Sequence, residues 1–382
     1  MNRRRWLALV GTGAVGSLAG CTVGYRGTPG ESPARPVPER ELVRGAARDG
    51  IPAIVDPVFG TDWDDIEFDA QDPLSGTYRA KPRLTPESPV IGVVRGEEAR
   101  AYPLAVLNWH EIVNDTFPAA GGDAPLLVTY CPLCGSAVTA VRRVDDVVTT
   151  FGVSGLLYRN DLVMYDARTE SLWSQIEARA IRGPKTGTTL DLVPSSFTTW
   201  GDWTDEHPDS LVLRPPPESS TVTGRTSTRN YDVNPYLGYE SVDQIGIGGT
   251  YDDDRLHPKT EVLGIEHDGV ATAYPYDRVA AAGVVNDEVG GLPVVVTLAG
   301  DQETLDGTGQ LVAYERTVRG RVHQFTRSQG RLVAAGTRWS ALTGRGVDGP
   351  LADESLVPAT DVSPLFFFAW LAFAPDTTVY GE

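Results

Sequence analysis

The chain repeats itself, and that limits the folds open to it. Arg83-Leu-Thr-Pro-Glu-Ser-Pro-Val-Ile-Gly92 matches Arg255-Leu-His-Pro-Lys-Thr-Glu-Val-Leu-Gly264. Ala101-Tyr-Pro103 matches Ala273-Tyr-Pro275, and Val113-Asn-Asp115 matches Val285-Asn-Asp287, all at one spacing of 172 residues. Pro125-Leu-Leu-Val-Thr129 then matches Pro293-Val-Val-Val-Thr297, Trp173-Ser174 matches Trp339-Ser340, Leu192-Val-Pro194 matches Leu356-Val-Pro358, and Pro208-Asp209 matches Pro375-Asp376. Order kept over more than a hundred residues marks a duplication. The expected layout is a first repeat over 49–215 and a second, degenerate repeat over 216–382.

Within each copy the pattern is mostly strand. Residues 90–94 and 99–102 alternate around Gly96 and read as a hairpin. Residues 104–113 carry apolar side chains at helical spacing. Residues 126–130 read as a buried strand, and 137–141, 147–153 and 162–165 as further strands. The expected fold is α+β and β-rich: two related small β-units, barrel- or sandwich-like, with short helices and a cleft between them.

Copy two lacks a particular set of residues. Asn108-Trp109-His110-Glu111 faces Ala280-Ala281-Ala282-Gly283, Cys131 and Cys134 face Ala299 and Gln302, and His207 faces Ala374. The run Ser154-Gly-Leu-Leu-Tyr-Arg-Asn-Asp-Leu-Val163 has little room in copy two. Scaffold must be kept in both copies, whereas chemistry is needed in only one. The joint loss therefore points to a single site in the first half. Its core is Cys131, Cys134 and His110, with Trp109, Glu111, Tyr130, Ser154, Tyr158, Asn160, Trp173 and Gln175 as candidate substrate contacts. Asn114, present in both copies, reads as a turn or helix-end cap.

Cys131-Pro-Leu-Cys134 follows an apolar run and admits three chemistries. One is a thiol–disulfide or peroxide-type redox pair, its thiol activated by a protonated His110. Another is a zinc or copper site, with Cys131 and Cys134 joined by His110 and His207. In the copper case Met164 is a further candidate ligand. The last is an inert disulfide in a non-enzymatic ligand-binding module. Ala137 to Val141 alternates like a strand, so the helix that follows the CxxC of a thioredoxin is not expected.

The strings Asn-Trp-His-Glu-Ile-Val-Asn-Asp, Val-Thr-Tyr-Cys-Pro-Leu-Cys-Gly-Ser, Phe-Gly-Val-Ser-Gly-Leu-Leu-Tyr-Arg-Asn-Asp-Leu-Val-Met-Tyr-Asp and Leu-Trp-Ser-Gln together resemble the domain of unknown function (DUF) family 3179, over roughly residues 50 to 382. The resemblance implies no established activity. Some relatives look like selenoproteins with selenocysteine in the CxxC, which implies redox chemistry there.

Residues 1–21 carry a basic start with Arg3-Arg4-x-Trp6-Leu7, resembling a twin-arginine export signal, and end in Leu18-Ala19-Gly20-Cys21, resembling a lipobox. The apolar segment is too short to span a bilayer. Residues 22–48, rich in Gly, Pro, Glu and Arg, read as a flexible tether. The expected location is the extracellular face of the cell membrane, with the bilayer as a partner through Cys21. A small molecule or a redox protein is the other expected partner. Net charge is −18, from 51 acidic and 33 basic residues. Lys81, Lys185 and Lys259 are the chain's three lysines. This is the surface of a protein suited to concentrated salt, and it excludes nucleic-acid binding, which needs a basic face. Cys21→Ser is expected to move the protein from the membrane fraction to the soluble one. A mutant that still sediments with membranes contradicts the lipid anchor.

Overall fold

A computed structural model describes residues 35–72, 76–118, 122–225, 228–300 and 309–382. The export signal and Cys21 lie outside the described residues. Pro33–Glu382 forms one compact unit. Among the described residues, six sheets of three to five strands are arranged as the blades of a β-propeller, rather than as barrels or a sandwich. Each blade holds at least one pair of strands adjacent in sequence, and that local pairing is what the alternation pattern reports, while several blades also recruit strands from distant segments. Closure between blades rests on contacts distant in sequence, which periodicity does not report.

The first blade pairs Pro89–Arg95 with Glu98–Pro103, flanked by Ser196–Thr199, Leu211–Arg214 and Val58–Gly60. The second is Ile112–Phe117, Ala124–Cys131 and Ser136–Val141, with Ile54–Asp56 and Ser220–Thr221. The third is Phe151–Tyr158, Asp161–Asp166, Leu172–Ser174 and Arg179–Arg182. Its outer strand is Leu42–Arg44, which pairs with Leu156, Leu157 and Tyr158. The expected tether to residue 48 is thus corrected: the apolar Leu42 and β-branched Val43 already join a sheet. The last three blades start at Glu261–His267, Val284–Val289 and Thr326–Ser328.

Among the described residues four short α-helices accompany the blades: α1 (Leu104–His110), α2 (Trp200–Glu206), α3 (Tyr276–Ala282) and α4 (Phe367–Phe373). The expected helix over 104–113 stops at His110 because Glu111 turns left-handed, at φ 56°, and Ile112 starts a strand. Trp203 of α2 is buried over Gly92, and Trp370 of α4 over Gly264. A Cβ at either glycine would fall inside the indole, so only glycine admits the ring. Trp203 Nε1 donates to Ser210 Oγ (2.7 Å) and Trp370 Nε1 to Thr377 Oγ1 (2.9 Å). Tyr102 donates to Asp115 (2.5 Å) as Tyr274 does to Asp287 (3.0 Å).

Asn114 is not a helix cap. It lies within a strand, buried, and its amide donates to Ile54 O (3.1 Å) and Phe151 O (2.9 Å), while its Oδ1 accepts from Phe151 N (2.7 Å). It docks the third blade's first strand on the second blade. Asn286 makes the same two bonds with Phe325 O (2.9 Å) and N (2.8 Å).

Candidate functional site

The two cysteines sit at the end of a hairpin. Ala124–Cys131 pairs with Ser136–Val141, placing Ser136 opposite Cys131. Between them the chain closes a tight turn: Cys134 N donates to Cys131 O (3.1 Å) and Gly135 takes φ 67°. Gln175 fixes the base of the hairpin. Its Oε1 accepts from Ser136 Oγ (2.9 Å), and its Nε2 donates to Thr129 Oγ1 (3.1 Å) and Ser136 O (3.2 Å). From the far half, Phe366 N donates to Cys134 O (2.8 Å) and Ser363 Oγ accepts from Ala137 N (2.7 Å). The turn is thus held on several sides by bonds that are buried or partly so.

No disulfide joins the cysteines; their sulfurs lie 3.0 Å apart, and both residues are buried. Cys134 Sγ–H donates to Asn160 O (3.3 Å). Asn160 comes from the third blade, where Arg159 (φ 53°) and Asn160 (φ 68°) form the two-residue turn between Tyr158 and Asp161. Two successive positive φ values are those of a tight hairpin turn that matches strand twist. The turn delivers Asp161, fully buried, beside the sulfurs: one ligand atom each from Cys131, Cys134 and Asp161 lies within 4.8 Å of the others. Asp161 Oδ2 accepts from Ser174 Oγ (2.7 Å) and Ile176 N (3.2 Å), while Oδ1 has no hydrogen-bond partner.

The electrostatics run one way. Burial pushes the Cys134 thiol well above its ordinary value, with Cys131, Asp161 and Glu111 adding to the rise. Burial raises Asp161 to about 7 against the opposing bond from Ser174. It raises Glu111 to about 8, with the charge of Asp161 adding to it. The site is therefore a set of protonated or proton-sharing acids at neutral pH.

His110 does not supply the missing cation. Its Nδ1 bonds Pro52 O (2.8 Å) and its Nε2 bonds Tyr231 OH (2.9 Å), so neither nitrogen is left for a sulfur or a metal. Burial lowers its pKa to about 4, and the ring is neutral. The expected activation of the thiol by His110 is corrected on this geometry. His207 caps α2 against the Trp203 ring, at 4.2 Å between centroids, and does not belong to the cysteine cluster.

The other expected contacts divide. Glu111, Tyr130, Asn160 and Gln175 surround the CxxC. Trp173 is core, stacked edge-on to Phe151 and bonded to Asp166 (3.0 Å). Ser154 bonds Val163 O and Leu156 N across a bulge in its own hairpin, a structural role. Tyr158 packs against Phe373 at the outer edge of the third blade. Trp109 Nε1 donates to Val233 O (3.2 Å). Met164 is fully buried core, paired with Trp173.

Two parts of the site escaped the sequence comparison. Asp161 lay inside the run 154–163 that copy two lacks, so its signal was present but was read at Asn160. Tyr236 and Tyr239 come from the start of the second repeat, ahead of its first matched block at Arg255, where the two copies show no match. Both phenols are pushed up by burial, with Glu111 and Cys131 adding to the rise at Tyr236 and Cys134 and Cys131 at Tyr239. With Tyr130 and Pro132, which flank Cys131, they line a cavity of about 300 Å³.

A family model described as "Protein of unknown function (DUF3179)" matches residues 48–377. No curated protein and no solved structure matches the chain.

An acid that the fold holds protonated binds more protons than the unfolded chain does. Between the ordinary glutamate value of 4.5 and the raised value of about 8 for Glu111, stability therefore falls as pH climbs. Glu111→Gln, which keeps the shape without the ionisation, is expected to raise the melting temperature by a few degrees at pH 8.5 and little at pH 4.5. Melting curves across this range check it; equal shifts at both pH values contradict a buried, proton-holding Glu111.

Proposed function

We propose that this chain, which belongs to the DUF3179 family, is a dithiol–disulfide oxidoreductase whose reactive pair is Cys131 and Cys134. The observation that carries the reading is a pair of buried free thiols with sulfurs 3.0 Å apart, with the buried carboxyl of Asp161 within 4.8 Å of them. Such a pair needs only a small approach to bond at about 2.05 Å. Cys131, between the cavity-lining Tyr130 and Pro132, is the attacking sulfur, and Cys134 resolves. The Cys131 thiolate attacks a sulfur of a substrate disulfide, and that substrate S–S bond breaks. Cys134 then attacks Cys131 and expels the second substrate thiol. Two electrons and two protons pass to the substrate, and the Cys131–Cys134 bond forms. With no cation at hand, a carboxylate takes the place of the expected histidine. Asp161 accepts the Cys134 proton, and its unpartnered oxygen is free to do so.

The duplicated halves share the scaffold, and the first alone carries this site. Lipidation of Cys21 would set the body at the outer membrane face, in a compartment where a dithiol can cycle.

A second reading has one observation in its favour. Cys131, Cys134 and the open Asp161 oxygen form a three-ligand set for zinc or copper, with neither histidine included. Against it, two sulfurs on one tetrahedral ion with legs of about 2.3 Å lie roughly 3.8 Å apart, wider than the pair found here.

The test is a trapping experiment with hydroxyethyl disulfide. The wild type is expected to end as an internal disulfide with no adduct, Cys134→Ser to stall as a mixed disulfide on Cys131, and Asp161→Asn to react about tenfold or more slowly. Thiols that stay silent until a chelator strips a stoichiometric metal would establish the second reading instead.

A further inference from the structure

Exchange at the dithiol needs a substrate sulfur to meet one of its own, yet both are covered. Cys131 is 2 % exposed and Cys134 0 %. Neither lines the cavity beside Tyr130. What lies over the pair therefore decides when it can react.

The cover is a connector rather than a blade. Between Ser220–Thr221 of the second blade and Glu261–His267 of the fourth, the described residues form no strand, only a 3-10 turn at Tyr239–Ser241. The connector is pinned at both ends. At one, Tyr231 OH bonds His110 Nε2 (2.9 Å) and Trp109 Nε1 donates to Val233 O (3.2 Å). At the other, Tyr251 OH donates to Leu256 O (2.9 Å). Between these pins it packs on the parts that hold the cysteine turn. The Tyr239 ring lies 6.2 Å, centroid to centroid, from Phe366, whose N–H bonds Cys134 O. Ile245 is buried in the apolar cluster that contains both cysteines. Gly246 and Gly249 lie so close to the Asn160 side chain that a Cβ on either would collide with its amide. Asn160 O is the group that accepts from Cys134 Sγ.

One side chain holds this stretch from below. Lys259, only 5 % exposed, donates from Nζ to Val242 O and to Gln244 O (2.5 Å), and its Nζ stands 4.0 Å from the centre of the Tyr239 ring. The matched position in the first copy is Glu87. Tyr239 OH in turn accepts from Gly246 N (2.7 Å), and His257 Nε2 lies 3.3 Å from the exposed Asp243. The outer side is bare: Leu237 is 84 % exposed, and Val242 and Ile247 are exposed as well. A segment outside the sheets, with few buried side chains, is the kind that opens locally while the blades stay closed. Bonds from a charged donor are the strong ones, so Lys259 sets much of the cost of opening.

We infer that residues 236–249 are a strap over Cys131 and Cys134, latched by Lys259, and that thiol exchange proceeds when the strap lifts. The inference rests on the dithiol reading above and adds how access to that site is controlled. Lys259 is a positioning residue: it acts on the thiols through the strap. His110 gains a role at the strap's pinned end through Tyr231, which agrees with its loss from the second half together with the cysteines.

The test uses the reduced full chain and two readouts: hydrogen exchange by mass for the strap, and alkylation by iodoacetamide for the thiols. In the wild type, strap amides are expected to exchange about tenfold or more faster than those of Ala124–Cys131, and the thiols to be alkylated while that strand stays protected. In Lys259→Met, strap exchange and alkylation are both expected to rise about tenfold or more. Removing a cation by itself slows a thiolate's attack, so a faster reaction reads the strap and not the charge. Alkylation that requires loss of protection in Ala124–Cys131 would overturn the strap from the wild type alone. So would strap amides as protected as that strand, or a Lys259→Met protein whose strap exchanges faster while its thiols keep the wild-type rate. In those cases an internal disulfide formed with hydroxyethyl disulfide leaves the dithiol reading standing. If the thiols follow the strap but hydroxyethyl disulfide yields no internal disulfide, the dithiol reading fails and the strap stands.

Discussion

One buried amide ties the cysteine hairpin to the strand that completes the site. Asn114, inside the second blade, holds both backbone groups of Phe151, the residue that opens the third blade. Without it Phe151 N and Phe151 O would be left unpaired away from water, at about 1–3 kcal/mol each. From Phe151 the strand runs to Tyr158, turns at Arg159 and Asn160, and returns at Asp161 against the two sulfurs. The distance from cysteine to carboxylate is thus set by how one blade is docked on its neighbour. Asn286 makes the same clamp to Phe325 in the far half, where no cysteine follows. The clamp therefore belongs to the scaffold, and the chemistry is an addition to it.

That addition is compact. The hairpin tip at Asn160 and Asp161 comes from the segment for which the second half has little room, and Tyr236 and Tyr239 come from the stretch ahead of the second half's first matched block. Nothing in this group carries a fixed positive charge against the sulfurs. Burial has accordingly moved the thiol and both carboxyl groups toward their neutral forms. A dithiol in such surroundings depends on proton transfer to a neighbouring carboxylate rather than on a standing thiolate, which explains why a histidine is dispensable there.

The strands, the short helices and the residues confined to one half were legible because they depend on neighbours in sequence or on the internal comparison. The closure of six blades was not, since it rests on contacts such as Phe366 to Cys134 and Ser363 to Ala137, more than two hundred residues apart. Asn114 resembled a cap because it follows a helix by a few residues, but the left-handed Glu111 ends that helix early and turns the asparagine into a strand. His110 resembled a partner for a thiol because both vanish from the second half together. Its partners, Pro52 and Tyr231, lie on segments that the pattern of matches did not connect to it. Co-loss located the neighbourhood of the site and misassigned one role within it.

The most direct measurement of whether Cys131 and Cys134 act as one redox pair is an equilibrium titration of the purified full chain in buffers of graded dithiol-to-disulfide ratio, with alkylation and mass analysis. Both thiols are expected to disappear together in a single two-electron transition, with a slope of about 30 mV per decade. Thiols that remain alkylatable across the whole range, or that are oxidised independently of each other, would contradict a reversible dithiol at this site.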